Sequence, residues 1–325
     1  MRHVAADLFD PASVRDALRA HPGITHVFYA AYQDRPGWSE LVEPNVTMLR
    51  TVLDADLPEL QHVSLMQGYK VYGAHLGPFS TPAKESDPPH MPPEFNVDQQ
   101  QLVEERAAAA GWTWSAIRPS VVAGFGLGNP MNLGVVLAVY ASISKELGVP
   151  LRFPGRPGAY DALLELTDAG LLAEATVWAA TDPRCANEAF NIANGDVFRW
   201  NRMWPVVADA FGLELAPALP MSLQDVMADK EPVWDAMVAR HGLAPDPVLG
   251  RVLVGVRRLR PLLGLRHVRR HLEVAPVRLP PLRRHRGHAA RSLRRPAQAA
   301  DHPRVACART IRGGVGWASV RARRR

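Results

Sequence analysis

An α/β fold built on a doubly wound parallel sheet is what this sequence predicts, and three observations predict it. Strand-like and helix-like segments alternate over residues 1–125. The helical segments are long enough to carry the chain back across a sheet, which parallel neighbours require and hairpins do not. The composition, 47% apolar and 22% charged, is that of a folded globular chain.

The elements follow in order. His3 to Asp7 reads as a strand. Asp10-Pro11 opens a helix, with an acidic N-cap and proline at the first helical position. "ITHVFYAA" (24–31) is a second apolar strand, and Trp38 to Ala55 has helical periodicity. "LQHVSLM" (60–66) is a third strand. Val97 to Ala110, rich in Gln, Glu and Ala, is a helix stopped by Gly111. "TWSAIRPSVV" (113–122) is a fourth strand. Ligands of such sheets sit beyond the carboxyl ends of the strands, where Asp7, Ala31, Gln67 and Pro119 fall. Residues 126–250 are mainly helical, over Met131 to Leu147, Asp168 to Ala180, Trp200 to Phe211 and Pro232 to Arg240. Short extended pieces lie at Leu151 to Phe153 and Ala189 to Ile192. This part reads as a smaller substrate lobe.

Charge divides the chain again. Residues 251–325 hold 21 arginines, no lysine, and only Glu273 and Asp301 as acids, whereas the whole chain is +6. That segment has no Phe or Tyr and one Trp, too little apolar volume for a packed core. Two readings stay open: an arginine-rich arm for nucleic acid, or a GC-rich gene read out of frame, which is the favoured one. Cys185 and Cys307 are far apart, which argues against a disulfide framework or a zinc site. They fit a reducing, cytoplasmic compartment. No apolar run reaches the roughly 18–20 residues that span a bilayer.

Among chemical candidates, Lys70 stands out. It lies between two tyrosines just past an apolar strand, in "MQGYKVYGAHLGPF". No glycine-rich loop opens a strand–helix unit to cradle a diphosphate. "GFGLGNP" (124–130) follows a late strand instead. No lysine stands four residues after any tyrosine. His62, His75 and His90 show no metal-ligand spacing, and no metal is expected. Trp114, Trp178, Trp200 and Trp204 read as core, and Asp168 as a helix N-cap.

Long stretches in the right order carry a resemblance. They are "THVFYAAYQDR", "NVTMLRTVLDA", "LQHVSLMQGYKVYGAHLGPF", "WTWSAIRPSVVAGFGLGNPMNL", "VYASISKELGVPLRFPG" and "NEAFNIANGDVFRWNRMWPVVADAFG". "KEPVWDAMVARHGL" extends the match to residue 243. Over residues 1 to about 250 the chain resembles the progesterone 5-beta-reductase / iridoid synthase family of short-chain dehydrogenases/reductases. The resemblance implies a Rossmann domain for NADPH at 1–125, its first βαβ unit missing, and a helical substrate lobe at 126–250. It also implies 1,4-reduction of an activated C=C in a small enone or enal, or reduction of a related carbonyl compound. Lys70 falls on the family's lysine, which neutralises the enolate. The family's tyrosine motif, F-Y-Y, meets Phe95, Asn96 and Val97 here, so Asn96 and Tyr72 are the candidate stand-ins.

Cofactor contacts implied by the resemblance are Asp7 and Leu8 at the adenine, and Tyr29 and Ala30 at adenosine. Met66 and Gln67 meet the nicotinamide ribose, and Pro119 and Val122 the carboxamide. About 60–80 residues holding the glycine motif are expected to precede Met1, judged from one βαβ unit and its link. Cofactor binding by this chain is therefore expected to be impaired. The alternatives are a non-catalytic dinucleotide- or ligand-binding protein on the same fold, and a nucleic-acid-associated protein acting through the tail. A small-molecule carbonyl compound is the expected partner, with a homodimer left open. Neither membrane nor nucleic acid is expected as a partner on the reductase reading.

Overall fold

The computed structural model describes residues 3–77, 79–124, 132–156 and 158–242. The expected calls on "GFGLGNP" and on the arginine-rich segment fall largely or wholly outside these residues.

The described chain begins irregularly. Residues 3–7 form no strand and are exposed. Alternation of side chains does not make a strand without a neighbour to pair the backbone. Helix α1 (Pro11–Arg19) then starts as expected, with Asp10 accepting from the Ala12 N–H at 2.9 Å. Strand β1 (His26–Tyr29) is followed by a 3-10 turn and helix α2 (Val42–Leu53). Strand β2 (His62–Met66) ends in Gly68 and a 3-10 turn over Tyr69–Tyr72. Helix α3 (Phe95–Ala110) closes on Gly111, whose φ of 81° is the left-handed conformation that glycine adopts freely.

Strand β3 (Thr113–Pro119) stops at Ser120, so the expected continuous strand to residue 122 is broken there. The chain leaves the main sheet as β4 (Val121–Ala123), pairing elsewhere. Next come α4 (Leu133–Glu146), β5 (Leu163–Leu164), β6 (Leu166–Asp168) and α5 (Ala169–Thr181). They are followed by β7 (Glu188–Ile192), β8 (Phe198–Arg199), α6 (Trp200–Phe211), α7 (Leu223–Val226) and α8 (Glu231–His241).

The main sheet has the order β1-β2-β3-β7 and is wholly parallel. Its two faces differ. Val63, Leu65, Trp114 and Ala116 point to one side, into a cluster with Met48 and Leu49 of α2 and Val103 and Ala107 of α3. Ile117 and Met66 point to the other, onto Leu172 and Ala179 of α5. Helices thus cover both faces, which is what doubly wound means. Phe28 stays half exposed on β1, an edge strand among the described residues.

The segments expected as separate units at 1–125 and 126–250 interleave. Helix α5 and strand β7 come from the second stretch yet complete the sheet of the first. The extended piece expected at 189–192 is this fourth strand. The one expected at 151–153 makes only an isolated bridge, Leu151 to Leu215. The remaining helices build a second core around Leu137, Ile143, Phe153, Trp200 and Trp204. Trp114, Trp200 and Trp204 are buried as expected, but Trp178 lies on an outward position of α5 and is exposed.

Candidate functional site

Because all four strands run the same way, their carboxyl ends meet at one edge. Three polar or charged groups arrive there from different strands: Gln67 after β2, Arg118 near the end of β3, and Asn191 in β7. The 3-10 turn that follows Gly68 adds Lys70 and Tyr72 to the same edge. An added Cβ at Gly68 would lie 3.5 Å from the Pro119 carbonyl oxygen, so the β2 and β3 ends approach closely here.

Arg118 organises the edge. It is 5% exposed. Its Nε donates to Gln67 Oε1 at 3.0 Å, and Nη2 donates to Gln100 Oε1 at 3.0 Å. Nη1 donates to the Tyr72 hydroxyl at 2.9 Å and to the Glu85 carbonyl at 3.3 Å. Every one of these acceptors is neutral. A buried guanidinium survives on such terms because its planar fork spreads the charge over many hydrogen bonds.

Three of the expected residues are engaged in or beside that lattice. Tyr72, buried, donates its own proton to Asn191 Oδ1 at 2.8 Å and packs under the guanidinium, 5.3 Å from ring centre to Cζ. Gln67 donates to the Asn96 carbonyl at 2.9 Å. Asn96 is buried, and its side-chain amide donates to Glu94 Oε1, as does its backbone N–H. Its amide is thus turned to the cap of α3.

Lys70 is half-buried. Its Nζ lies over the Tyr32 ring, 5.7 Å from the centroid. Tyr32 follows β1, packs on Phe95 with ring centres 5.6 Å apart, and donates to Asp34 Oδ1 at 2.9 Å. Burial, and then the hydrogen bond to Glu165, raise the Tyr69 phenol well above the usual tyrosine range. Tyr32 and Arg118 are the site residues that sequence reasoning missed. A lone arginine in a strand reads as a surface residue, and Tyr32 stands far from Lys70 along the chain.

The expected cofactor contacts divide. Met66, Gln67 and Pro119 stand at the β2–β3 edge with Lys70, and Val122 is partly exposed on β4. Asp7 is exposed and accepts from the Phe9 N–H at 2.9 Å, making its own turn. Leu8 packs on the cluster that holds Tyr29. The Tyr29 hydroxyl is buried without a hydrogen-bond partner, and burial pushes its pKa up. Ala30, beside it, is exposed. Asp168 caps α5, accepting from Gly170 N–H at 2.8 Å and Leu171 N–H at 3.0 Å.

The histidines fall out differently from their sequence spacing. His62 lies in the sheet, bound to Thr113 Oγ1 at 2.8 Å and Ser115 Oγ at 2.9 Å. His75 and His90 come together beside Glu94. A groove lined by Val42, Val46, Asp98 and Leu102 between α2 and α3 includes none of the candidate residues.

A parallel sheet with crossover helices on both faces, and polar groups gathered at its carboxyl edge, defines a Rossmann-type α/β protein. Solved structures agree on the fold. UDP-glucose 4-epimerase from Thermotoga maritima superposes with a TM-score of 0.53 at 17% identity, covering 66% of this chain and 70% of that one. RMD from Pseudomonas aeruginosa, solved with NADPH, gives 0.52 at 17% identity, covering 67% and 75%.

Sequence narrows the class. Residues 11–255 match the PRISE-like Rossmann-fold domain, and the chain belongs to that family. An (S)-8-oxocitronellyl enol synthase from Nepeta racemosa is 40% identical over 261 residues, covering 75% of this chain and 65% of the relative. A 3-oxo-Delta(4,5)-steroid 5-beta-reductase from Arabidopsis thaliana is 38% identical over 260 residues, with 74% and 65% covered. The chain thus spans 65% of the length of these curated relatives.

Proposed function

We propose that this chain carries the hydride-acceptor half of an NADPH-dependent reductase acting on the activated C=C of a small enone or enal. The observation that supports it best is Lys70, a half-buried ammonium on the turn after β2, at the carboxyl edge of a parallel sheet. The relatives named as an enol synthase and a steroid 5-beta-reductase point to the same chemistry.

The residues fit one end of the cofactor. Gly68, Met66 and Pro119 leave a narrow, side-chain-poor approach between the β2 and β3 ends, suited to a nicotinamide and its ribose. The diphosphate end has no glycine-rich strand-to-helix loop among the described residues. When bound, NADPH supplies the hydride that reaches the β carbon. Lys70 then holds the negative charge that develops on the carbonyl oxygen, a contribution worth several kcal/mol where water is excluded. Both neighbouring phenols are already engaged, the Tyr32 hydroxyl donating to Asp34 and the Tyr72 hydroxyl to Asn191, so the reading rests on Lys70. Asn96 acts on the cap of α3 and not on substrate.

The described residues supply the nicotinamide end of the cradle, and cofactor binding can be measured directly. Fluorescence titration with NADPH, followed by absorbance of NADPH with a small enal, tests this. Saturable binding and enal-dependent oxidation are expected, with Lys70→Met lowering turnover about 100-fold or more. Enal-dependent oxidation that Lys70→Met leaves intact would sink the assignment. Binding without any turnover would favour the second reading, a non-catalytic dinucleotide-binding protein, which the engaged Asn96 and Tyr72 side chains support.

A further inference from the structure

We propose a binding site for one zinc-class divalent ion formed by His75, His90 and Glu94. One donor atom from each lies within 4.8 Å of the others. Each histidine also carries an unsatisfied ring nitrogen. His75 Nδ1 and His90 Nε2 are both buried and neither has a hydrogen-bond partner. His90 Nε2 stands 3.5 Å from Glu94 Oε2 without forming a hydrogen bond to it. Leaving two imidazole nitrogens buried and unsatisfied costs free energy, and a shared ion removes that cost at both.

Two imidazoles and one carboxylate suit zinc, which takes such donors at about 2.0–2.2 Å in a tetrahedron. Tetrahedral donors around zinc are about 3.4 Å apart, so the His90–Glu94 pair is already at the spacing a bound ion requires. The His75 donor needs to close by no more than about 1.4 Å. The fourth position falls to water. Glu94 is 5% exposed and supplies the one anion of the site, which balances the Lys70 ammonium acting on His75.

The supporting shell is in place. Glu94 Oε1 accepts from the Asn96 backbone and side chain, which aims Oε2 at the histidines. The His90 backbone N–H donates to the Val71 carbonyl at 3.0 Å, which fixes the chain at this residue. Gly73, at φ 82°, lets the chain turn where a Cβ would stand 3.3 Å from the His90 Cβ. The Trp38 ring packs against His75, centroids 4.4 Å apart. Asn96 thus gains a purpose that the reductase reading does not give it. The ion would fasten the segment after the Lys70 turn to the start of α3.

The test is titration of the full chain with zinc chloride by calorimetry after removal of bound metal, repeated with cobalt(II) followed by its visible absorption. Wild type should bind one ion with an intense tetrahedral cobalt spectrum. His75→Ala and Glu94→Gln should each weaken this event at least tenfold, since losing even a supporting partner of a metal ligand costs about 10–100-fold. Glu94→Gln keeps an oxygen for the helix cap, so it guards against misfolding in the histidine variant. Absence of binding by wild type, or binding unchanged in both folded variants, overturns the site. The latter result would place the metal elsewhere on the chain. Neither readout depends on NADPH or turnover, so failure here is separate from failure of the reductase reading.

Discussion

The sheet edge and the helical lobe bury their polar atoms on opposite terms. At the edge, Arg118 is wrapped by Gln67, Tyr72, Gln100 and a carbonyl, and each of the three side-chain partners has a second bond of its own. In the lobe, the indole nitrogens of Trp200, Trp204 and Trp234 are buried with no hydrogen-bond partner. Phe153 meets Trp204 edge to face at 5.2 Å, and Trp200 meets Trp204 at 5.8 Å. One region is held by direction and the other by volume. Directional bonds fix atoms to fractions of an ångström, which a reacting edge needs. Volume gives stability and tolerates a misdirected N–H.

Four measurements can break or sharpen this contrast. The largest effect belongs to the lobe. Trp204→Ala should cost about 3–5 kcal/mol in urea unfolding. Trp204→Phe should cost far less, because the N–H it removes has no partner; an equal loss in both would mean that the indole nitrogen matters. Next comes the edge. Arg118→Met should cost about 2–4 kcal/mol by stranding its buried acceptors, despite similar volume. A neutral outcome would show that the lattice is ornamental.

The third is a matter of pH. Burial, aided by the His26 charge, lowers the pKa of His62 to about 4. The folded chain therefore keeps His62 neutral while the unfolded chain protonates it below its ordinary value. Stability from this residue is complete above pH 6.5 and is lost as pH falls toward 4, on the order of 2 kcal/mol at pH 4.5. His62→Gln should flatten the difference between urea midpoints at pH 7 and pH 4.5, and an unchanged slope would refute the assignment. The smallest effect is Asp168→Ala, about 1 kcal/mol from losing the α5 cap, read from the same unfolding curves.

Much of this was legible from the residues, for local reasons. Asp10-Pro11, Gly111 and Asp168 act through their nearest neighbours in sequence, so their signals survive without the fold. β2 and the turn after it were legible for the same reason. What was not legible depends on neighbours that sequence distance hides. His3 to Asp7 reads as a strand, but no strand among the described residues pairs with it. Residues 189–192 looked like part of the lobe because only the sheet's register reveals β7 beside β3. Arg118, Tyr32 and the His75–His90–Glu94 cluster are assembled by chain returning from elsewhere, and no spacing rule describes them.

The β1 edge has a consequence of another kind. His26 to Tyr29 contains no lysine and no proline, the residues that usually discourage strand addition, and Phe28 stands half exposed upon it. Such a ribbon costs an isolated molecule nothing. Its open N–H and C=O groups would accept one more parallel strand, whichever segment supplied it. Association that grows with concentration, rather than resistance to heat, is where an unpaired β1 would show itself.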